Sequence, residues 1–277
     1  MPQFTSYDGT RLAYRTQGQG DPLVCLPGGP MRDAEYLGDL GGLATHRTLI
    51  VLDPRGTGDS AVPADPATYR CDRQLADVEA LRAHLGLERM DLLAHSAGGN
   101  LATLYAAAHP ERLSSLVLVT PGLRAVGITV SDEEWDEATA VFEDQPWYAE
   151  TRAALDALGP GSSLADVYAA AAPLAYGRWD DAARAHDAAG RFNWEAAAAF
   201  YEDGAFEPRA TRAALAAVTA PVLVLAGAYD GGPTPARAAE ATALFPRGEL
   251  VVQPGGGHFP WVDDPAAFRR AVAAFLG

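Results

Sequence analysis

No lysine occurs among the 277 residues: all 21 cationic side chains are arginine, set against 36 aspartates and glutamates, for a formal net charge of −15 at pH 7. A surface this poor in positive charge repels nucleic-acid phosphates, which excludes nucleic-acid binding as a function class. The lysine-free, alanine-rich composition itself reads as coding bias rather than function. Cysteine is scarce too. Cys25 and Cys71 are the only two, in no metal-ligand spacing, so neither a disulfide framework nor a zinc site is expected. Cys25 falls in an apolar run and is expected as a buried free thiol, which suits a reducing, cytoplasmic compartment. No apolar stretch is long enough to span a bilayer. The first nine residues carry neither a basic nor an apolar segment of the secretory kind. No metal or organic cofactor is expected, and no membrane partner.

What is present is a repeating alternation. Phe4–Thr16 reads as a hairpin turning at Asp8-Gly9. Short apolar runs at Leu23–Leu26, Leu49–Leu52, Leu92–Ala94 and Leu116–Val119 read as buried strands, and helical periodicity appears at Tyr36–Leu43 and Gln74–Leu85. Strand alternating with helix implies a mainly parallel sheet covered on both faces. The glycines of Gly18-Gln19-Gly20 have no helix after them and read as a plain turn. From Leu123 to Arg212 no strand-like run occurs; the segment is alanine-rich, helical and interrupted by Pro146, Pro160, Pro173 and Gly190. The rhythm resumes at Val222–Ala226, then a helix from Pro235, a strand at Glu249–Val252 and a closing helix at Pro265–Leu276. The expected organisation is therefore a core over residues 1–123 and 213–277 with a helical cap, or lid, over 124–212. An insertion after a strand's C-terminal end lies at the edge where such sheets place ligands.

The densest chemical signal is Leu92-Leu93-Ala94-His95-Ser96-Ala97-Gly98-Gly99. A buried strand stops at the serine and a helix follows, with small residues two before and two after it. This is the sharp turn of a nucleophile elbow, written G-x-S-x-G, with Ala94 in place of the first glycine. Taken alone, Ser96 is equally a helix N-cap. Two further residues decide between these readings. Asp230 follows the strand Val222–Ala226 and His258 follows the strand Glu249–Val252, so nucleophile, acid and base all fall at one edge of one sheet. His46, His84 and His109 sit near helix ends, His95 is expected to point away from Ser96 by strand alternation, and His186 lies in the insertion. Asp263 and Asp264 read as the cap of the last helix. The oxyanion donors expected from the same geometry are the N–H groups of Ala97 and of the Gly28-Gly29 loop.

On these motifs the chain resembles the α/β-hydrolases over essentially its whole length, and within them the proline iminopeptidase-like branch. That branch carries H-G-G-P-G and D-x-R-G-x-G-x-S; here they read Pro27-Gly28-Gly29-Pro30-Met31 and Asp53-Pro54-Arg55-Gly56-Thr57-Gly58-Asp59-Ser60. The second match is full, whereas the first has Pro27 for histidine and Met31 for the last glycine. The resemblance implies an eight-stranded, mostly parallel sheet with flanking helices and an inserted cap, a Ser96–His258–Asp230 triad and an oxyanion hole from Gly29 and Ala97. It also implies binding of a free α-amine by cap residues, for which Trp194, Glu195 and Glu202 are the candidates, with Gly28 beside them. Seven residues apart, the two glutamates would share one face of an unbroken helix.

The expected activity is cleavage of a small amide or short peptide with a free N-terminus. Esterase, lactonase or thioesterase action on a small apolar acyl compound stays open, as do a non-hydrolytic acyl reaction and a ligand-binding protein that does not turn over. The first two differ in whether Glu195 and Glu202 face the pocket.

Overall fold

The computed structural model describes residues 1–277. Eight strands form one sheet: β1 (Gln3–Thr5), β2 (Arg11–Gly18), β3 (Pro22–Leu26), β4 (Thr48–Leu52), β5 (Met90–His95), β6 (Leu113–Val119), β7 (Val222–Gly227) and β8 (Gly248–Gln253). Their spatial order is β1-β2-β4-β3-β5-β6-β7-β8. Only the β1/β2 and β2/β4 pairings are antiparallel; the rest are parallel.

The inner strands carry continuous apolar runs (Leu23–Leu26, Leu49–Leu52, Leu92–Ala94, Leu116–Val119 and Val222–Ala226) because both faces are covered there, and side-chain alternation divides each run between two cores. Val24, Leu26, Leu92, Ala94, Leu116, Leu118, Val222 and Val224 point into one cluster of 39 buried residues. Their neighbours Leu23, Cys25, Leu93, Val117, Val119, Leu223 and Leu225 point into a second cluster of 20. Both cysteines are buried and unpaired.

In the core, α1 spans Leu75–His84 and α2 spans Ala97–Ala108. Between β6 and β7 there are only helices: α3 (Asp132–Thr139), α4 (Tyr148–Asp156), α5 (Leu164–Ala171), α6 (Asp181–Asp187), α7 (Trp194–Phe200) and α8 (Pro208–Leu215), with short 3₁₀ turns. Ser131 and Glu134 form a reciprocal capping box at the start of α3. After β7 come α9 (Pro235–Thr242), α10 (Pro260–Asp263) and α11 (Pro265–Leu276).

Three local expectations fail for identifiable reasons. The helix expected over Tyr36–Leu43 is two 3₁₀ turns, Ala34–Leu37 and Leu43–Thr45, separated by Gly38, Gly41 and Gly42, all with positive φ. Asp264 does cap α11, accepting the Ala267 N–H at 2.9 Å, but Asp263 does not: its buried carboxylate accepts the N–H groups of Gly177 and Gly257 and ties two loops together. The helix that begins at Trp194 stops at Phe200, so Glu202 lies beyond it.

The D-x-R-G-x-G-x-S segment after β4 is a structural hub. Asp53 accepts the Ala34 N–H at 2.9 Å, and Ser60 Oγ donates to the Asp53 carbonyl at 2.6 Å while accepting the Ala13 N–H at 2.8 Å. Arg55, fully buried, donates Nε to Asp77 of α1 at 2.8 Å and Nη1 to Asp8 of the hairpin turn at 2.8 Å. One guanidinium thus joins hairpin, β4 loop and α1.

Candidate active site

β5 ends one residue before Ser96 and α2 begins one residue after it. Ser96 takes φ 51° and ψ −123°, a conformation that costs a non-glycine residue about 1–3 kcal/mol and persists only where the surroundings over-determine it. They do so here. Its carbonyl accepts N–H groups from Gly99 and Gly122 at 2.7 Å each, and its own N–H donates to Val119 at 3.1 Å. Gly98 has to be glycine, because a Cβ there would lie 2.4 Å from the Pro27 carbonyl oxygen.

Ser96 Oγ lies 2.8 Å from His258 Nε2, and His258 Nδ1 lies 2.9 Å from Asp230 Oδ2. Asp230 is 3% exposed, and its other carboxylate oxygen accepts the Gly232 N–H at 2.9 Å. The acid is thus fixed by a backbone donor on one side and the imidazole on the other. The His258 backbone is held as well: its N–H donates to Ala175 at 2.7 Å, and its carbonyl accepts Thr120 Oγ1 and His95 Nε2, each at 2.9 Å. Three residues far apart in sequence therefore meet in the geometry that lets a carboxylate orient an imidazole and the imidazole take a hydroxyl proton.

The N–H of Ala97, at the first position of α2, has no intrahelical acceptor, and neither it nor the Gly29 N–H is paired within the chain. Both are free to donate to an oxyanion. Gly28 is not. Its N–H already donates to Tyr36 Oη at 2.6 Å, and its role is close approach, since a Cβ there would sit 2.7 Å from Ser96 Cβ.

Above Ser96 and His258 lies a cavity of about 350 Å³. Its walls are mostly apolar: Val167, Tyr168 and alanines of α5 and the following turn, with Phe192 and Trp194 stacked face to face at 4.2 Å. Tyr168 Oη donates to the Gly29 carbonyl, so the helical segment reaches down to the loop beside the serine. Trp194 lines the cavity; Glu195 and Glu202 are exposed and line no part of it. The carboxylate pair facing the cavity is therefore not formed. The α7 helix ends too early to carry both, and the face it buries presents Ala196, Ala197 and Phe200.

Residues to which the sequence assigns no role in the site also line this space. His95, expected to point away, lies against the His258 ring with centroids 4.9 Å apart. Strand alternation misleads there because the chain leaves the strand at the next residue. Arg32 is buried beside Tyr36 and Phe192 and donates to the carbonyls of Asp187 and Ala189. Asp187 also lines the cavity; desolvation raises its carboxyl above the usual range, against the pull of Arg32. No three His, Cys, Asp or Glu side chains converge in a metal-binding arrangement.

His186 is a cap anchor rather than a base. Its Nε2 donates to the Tyr36 carbonyl at 2.9 Å and Nδ1 accepts from Tyr176 Oη at 2.8 Å. Burial, helped by Arg32, lowers its pKa to about 4. The unfolded chain then binds the proton more tightly than the folded one, so stability is lost as the pH falls from about 6.5 through 4, on the order of 2–3 kcal/mol. Thermal unfolding at pH 7.5 and pH 5 is expected to give a lower Tm in acid, with a smaller difference in His186→Gln; equal differences in both proteins would remove His186 as the cause.

The family described as alpha/beta hydrolase fold matches residues 21–265. A proline iminopeptidase of Lactobacillus helveticus is 40% identical over 117 residues, 40% of this chain and 40% of that protein, so the chain spans well under half the length of this relative. A proline iminopeptidase of Heyndrickxia coagulans is 24% identical over a 310-residue alignment covering 99% of this chain and 97% of that one. Among solved structures, an esterase from Rhodococcus sp. ECU1013 superimposes with a TM-score of 0.71 at 26% identity, covering 99% of this chain and 98% of that one. With the family match running over most of its length, this chain belongs to the α/β-hydrolase fold family.

Proposed function

We propose that this protein is a serine hydrolase that cleaves small esters of apolar acyl groups, with residues 124–212 as a lid over the acyl pocket. The observation that carries this reading is the unbroken Ser96–His258–Asp230 chain of 2.8 and 2.9 Å at the floor of an apolar cavity. Ser96 Oγ attacks the substrate carbonyl as His258 Nε2 takes its proton, and Asp230 holds the resulting imidazolium. The N–H groups of Gly29 and Ala97 stabilise the tetrahedral oxyanion. Collapse breaks the bond to the leaving group, which leaves with the proton from His258. Water, deprotonated by His258, then releases the acid and restores Ser96.

A second reading, an aminopeptidase, is favoured by the iminopeptidase relatives and by Asp187, a carboxylate on the cavity wall whose side chain makes no hydrogen bond. Such a group would suit a substrate ammonium. Prolyl and cyclopentanecarbonyl aryl esters differ only by the amine and separate the two. The ester reading expects the cyclopentanecarbonyl ester to be cleaved at least as fast, with Asp187→Asn neutral on it. A preference of about tenfold or more for the prolyl ester, abolished in Asp187→Asn, would establish the aminopeptidase instead; a tenfold ratio is about 1.4 kcal/mol, within reach of one charge-assisted contact.

A further inference from the structure

Beneath the candidate site runs a chain of hydrogen bonds that the mechanism above does not use. The Gly28 N–H donates to Tyr36 Oη at 2.6 Å, Tyr36 Oη lies 2.8 Å from His95 Nδ1, and His95 Nε2 lies 2.9 Å from the carbonyl oxygen of His258. Tyr36 and His95 are each 2% exposed, so no solvent stands in for a missing partner.

The direction of every bond in this chain is fixed by its two ends. A backbone N–H only donates, so Tyr36 Oη accepts from Gly28 and has one proton left to give. A carbonyl only accepts, so His95 Nε2 carries hydrogen and Nδ1 is left as a lone pair. The tyrosine proton goes to that lone pair. One neutral tautomer of His95 satisfies the whole chain with nothing unpaired. Burial and the proximity of His258 hold His95 far below the ordinary histidine range, which keeps it neutral when the neighbouring imidazole gains a proton.

The two ends of the chain adjoin the two groups that the proposed catalysis uses. Gly28 precedes the oxyanion donor Gly29, and its carbonyl accepts the Arg32 N–H at 3.3 Å. The Arg32 guanidinium in turn covers the Tyr36 ring at 4.4 Å. The other end is the backbone of the base itself. We propose that Tyr36 and His95 are positioning residues that lock the Gly29 oxyanion donor and the His258 base into one frame around Ser96. This rests on the serine hydrolase reading. Preorganised donors act on the charge that develops in the transition state and contribute little to ground-state binding. Loss of the frame should therefore appear in turnover and not in substrate affinity.

Tyr36→Phe deletes one hydroxyl, leaving the Gly28 N–H and His95 Nδ1 without partners while keeping the ring under Arg32. For the best aryl ester, kcat is expected to fall roughly tenfold to a hundredfold, less than or comparable to the loss of one oxyanion donor, with KM within about twofold. Affinity for an alkyl boronic acid, which forms a tetrahedral anion on the serine, should fall in step with kcat, while affinity for the neutral alcohol product stays unchanged. His95→Phe breaks the chain at its other link and should give the same split; the double variant should cost no more than the larger single loss. Variants that lose thermal stability but keep kcat and boronic acid affinity within twofold would overturn the proposal, as would a loss confined to KM. A wild-type protein that neither turns over esters nor takes a fluorophosphonate on Ser96 would fail the hydrolase reading beneath. A wild type that does both, with Tyr36→Phe unchanged, would fail this inference alone.

Discussion

Ser96→Ala is expected to lower kcat for any accepted ester by roughly 10⁴-fold or more while Tm stays within about 3 °C of the wild type. The asymmetry follows from where the hydroxyl sits. It makes one hydrogen bond, to His258 Nε2 at 2.8 Å, so its removal costs about 1 kcal/mol in stability. The backbone that gives Ser96 its unusual φ is held by Gly99, Gly122 and Val119 through main-chain bonds that alanine preserves. Catalysis has no comparable substitute, because an acyl-enzyme cannot form without the oxygen. Turnover retained within tenfold, with the variant folded, would mean that the chemistry runs through another group.

The second large effect concerns stability. Asp77→Ala is expected to destabilise the protein by about 3–5 kcal/mol, because it strands the fully buried guanidinium of Arg55 without its bidentate partner. Native stabilities are about 5–15 kcal/mol, so this single change would leave a protein unfolded or nearly so at 37 °C. Asp8→Ala removes the other, more solvated partner of the same arginine and is expected to cost about 1 kcal/mol or less. Chemical denaturation of the two variants side by side reads this difference. Equal small losses would show that Arg55 is compensated some other way. Replacing Arg55 and Asp77 together by methionine and leucine should recover much of the stability, because it is the unpaired charge, not the missing attraction, that destabilises.

This pair also bears on what the sequence could reveal. The segment Asp53–Ser60 is conspicuous as a motif, and it carries the resemblance to the proline iminopeptidase-like branch. Its physical work, anchoring Ala34, Asp77 and Asp8, depends on partners up to 47 residues away that no local pattern marks. The strands were readable because burial on both faces writes itself as uninterrupted apolar runs. The places of Ser96, Asp230 and His258 were readable because each sits just past a strand end. Expectations fail where the local backbone departs from the regular pattern. Gly38, Gly41 and Gly42 broke a helical pattern after Tyr36. The α7 helix stops at Phe200, before Glu202 could share its face. The chain's exit from β5 at Ser96 brought His95 under the imidazole instead of away from it. Tyr36 and Asp187 carried no sequence signal, since a tyrosine on an apolar stretch and an aspartate at a helix end are both ordinary. Their significance comes only from the cavity and the hydrogen-bond chain they join.

The central claim is that Ser96, activated by His258, forms a covalent acyl intermediate. Its most direct test is to react the protein with a stoichiometric aryl-ester acylating agent or a fluorophosphonate and map the adduct by mass spectrometry of the digested protein. One adduct per chain on Ser96, formed in parallel with loss of esterase activity and absent from His258→Ala, is the expected result. Esterase activity that survives complete modification of Ser96, or an adduct that forms equally fast in His258→Ala, would contradict it.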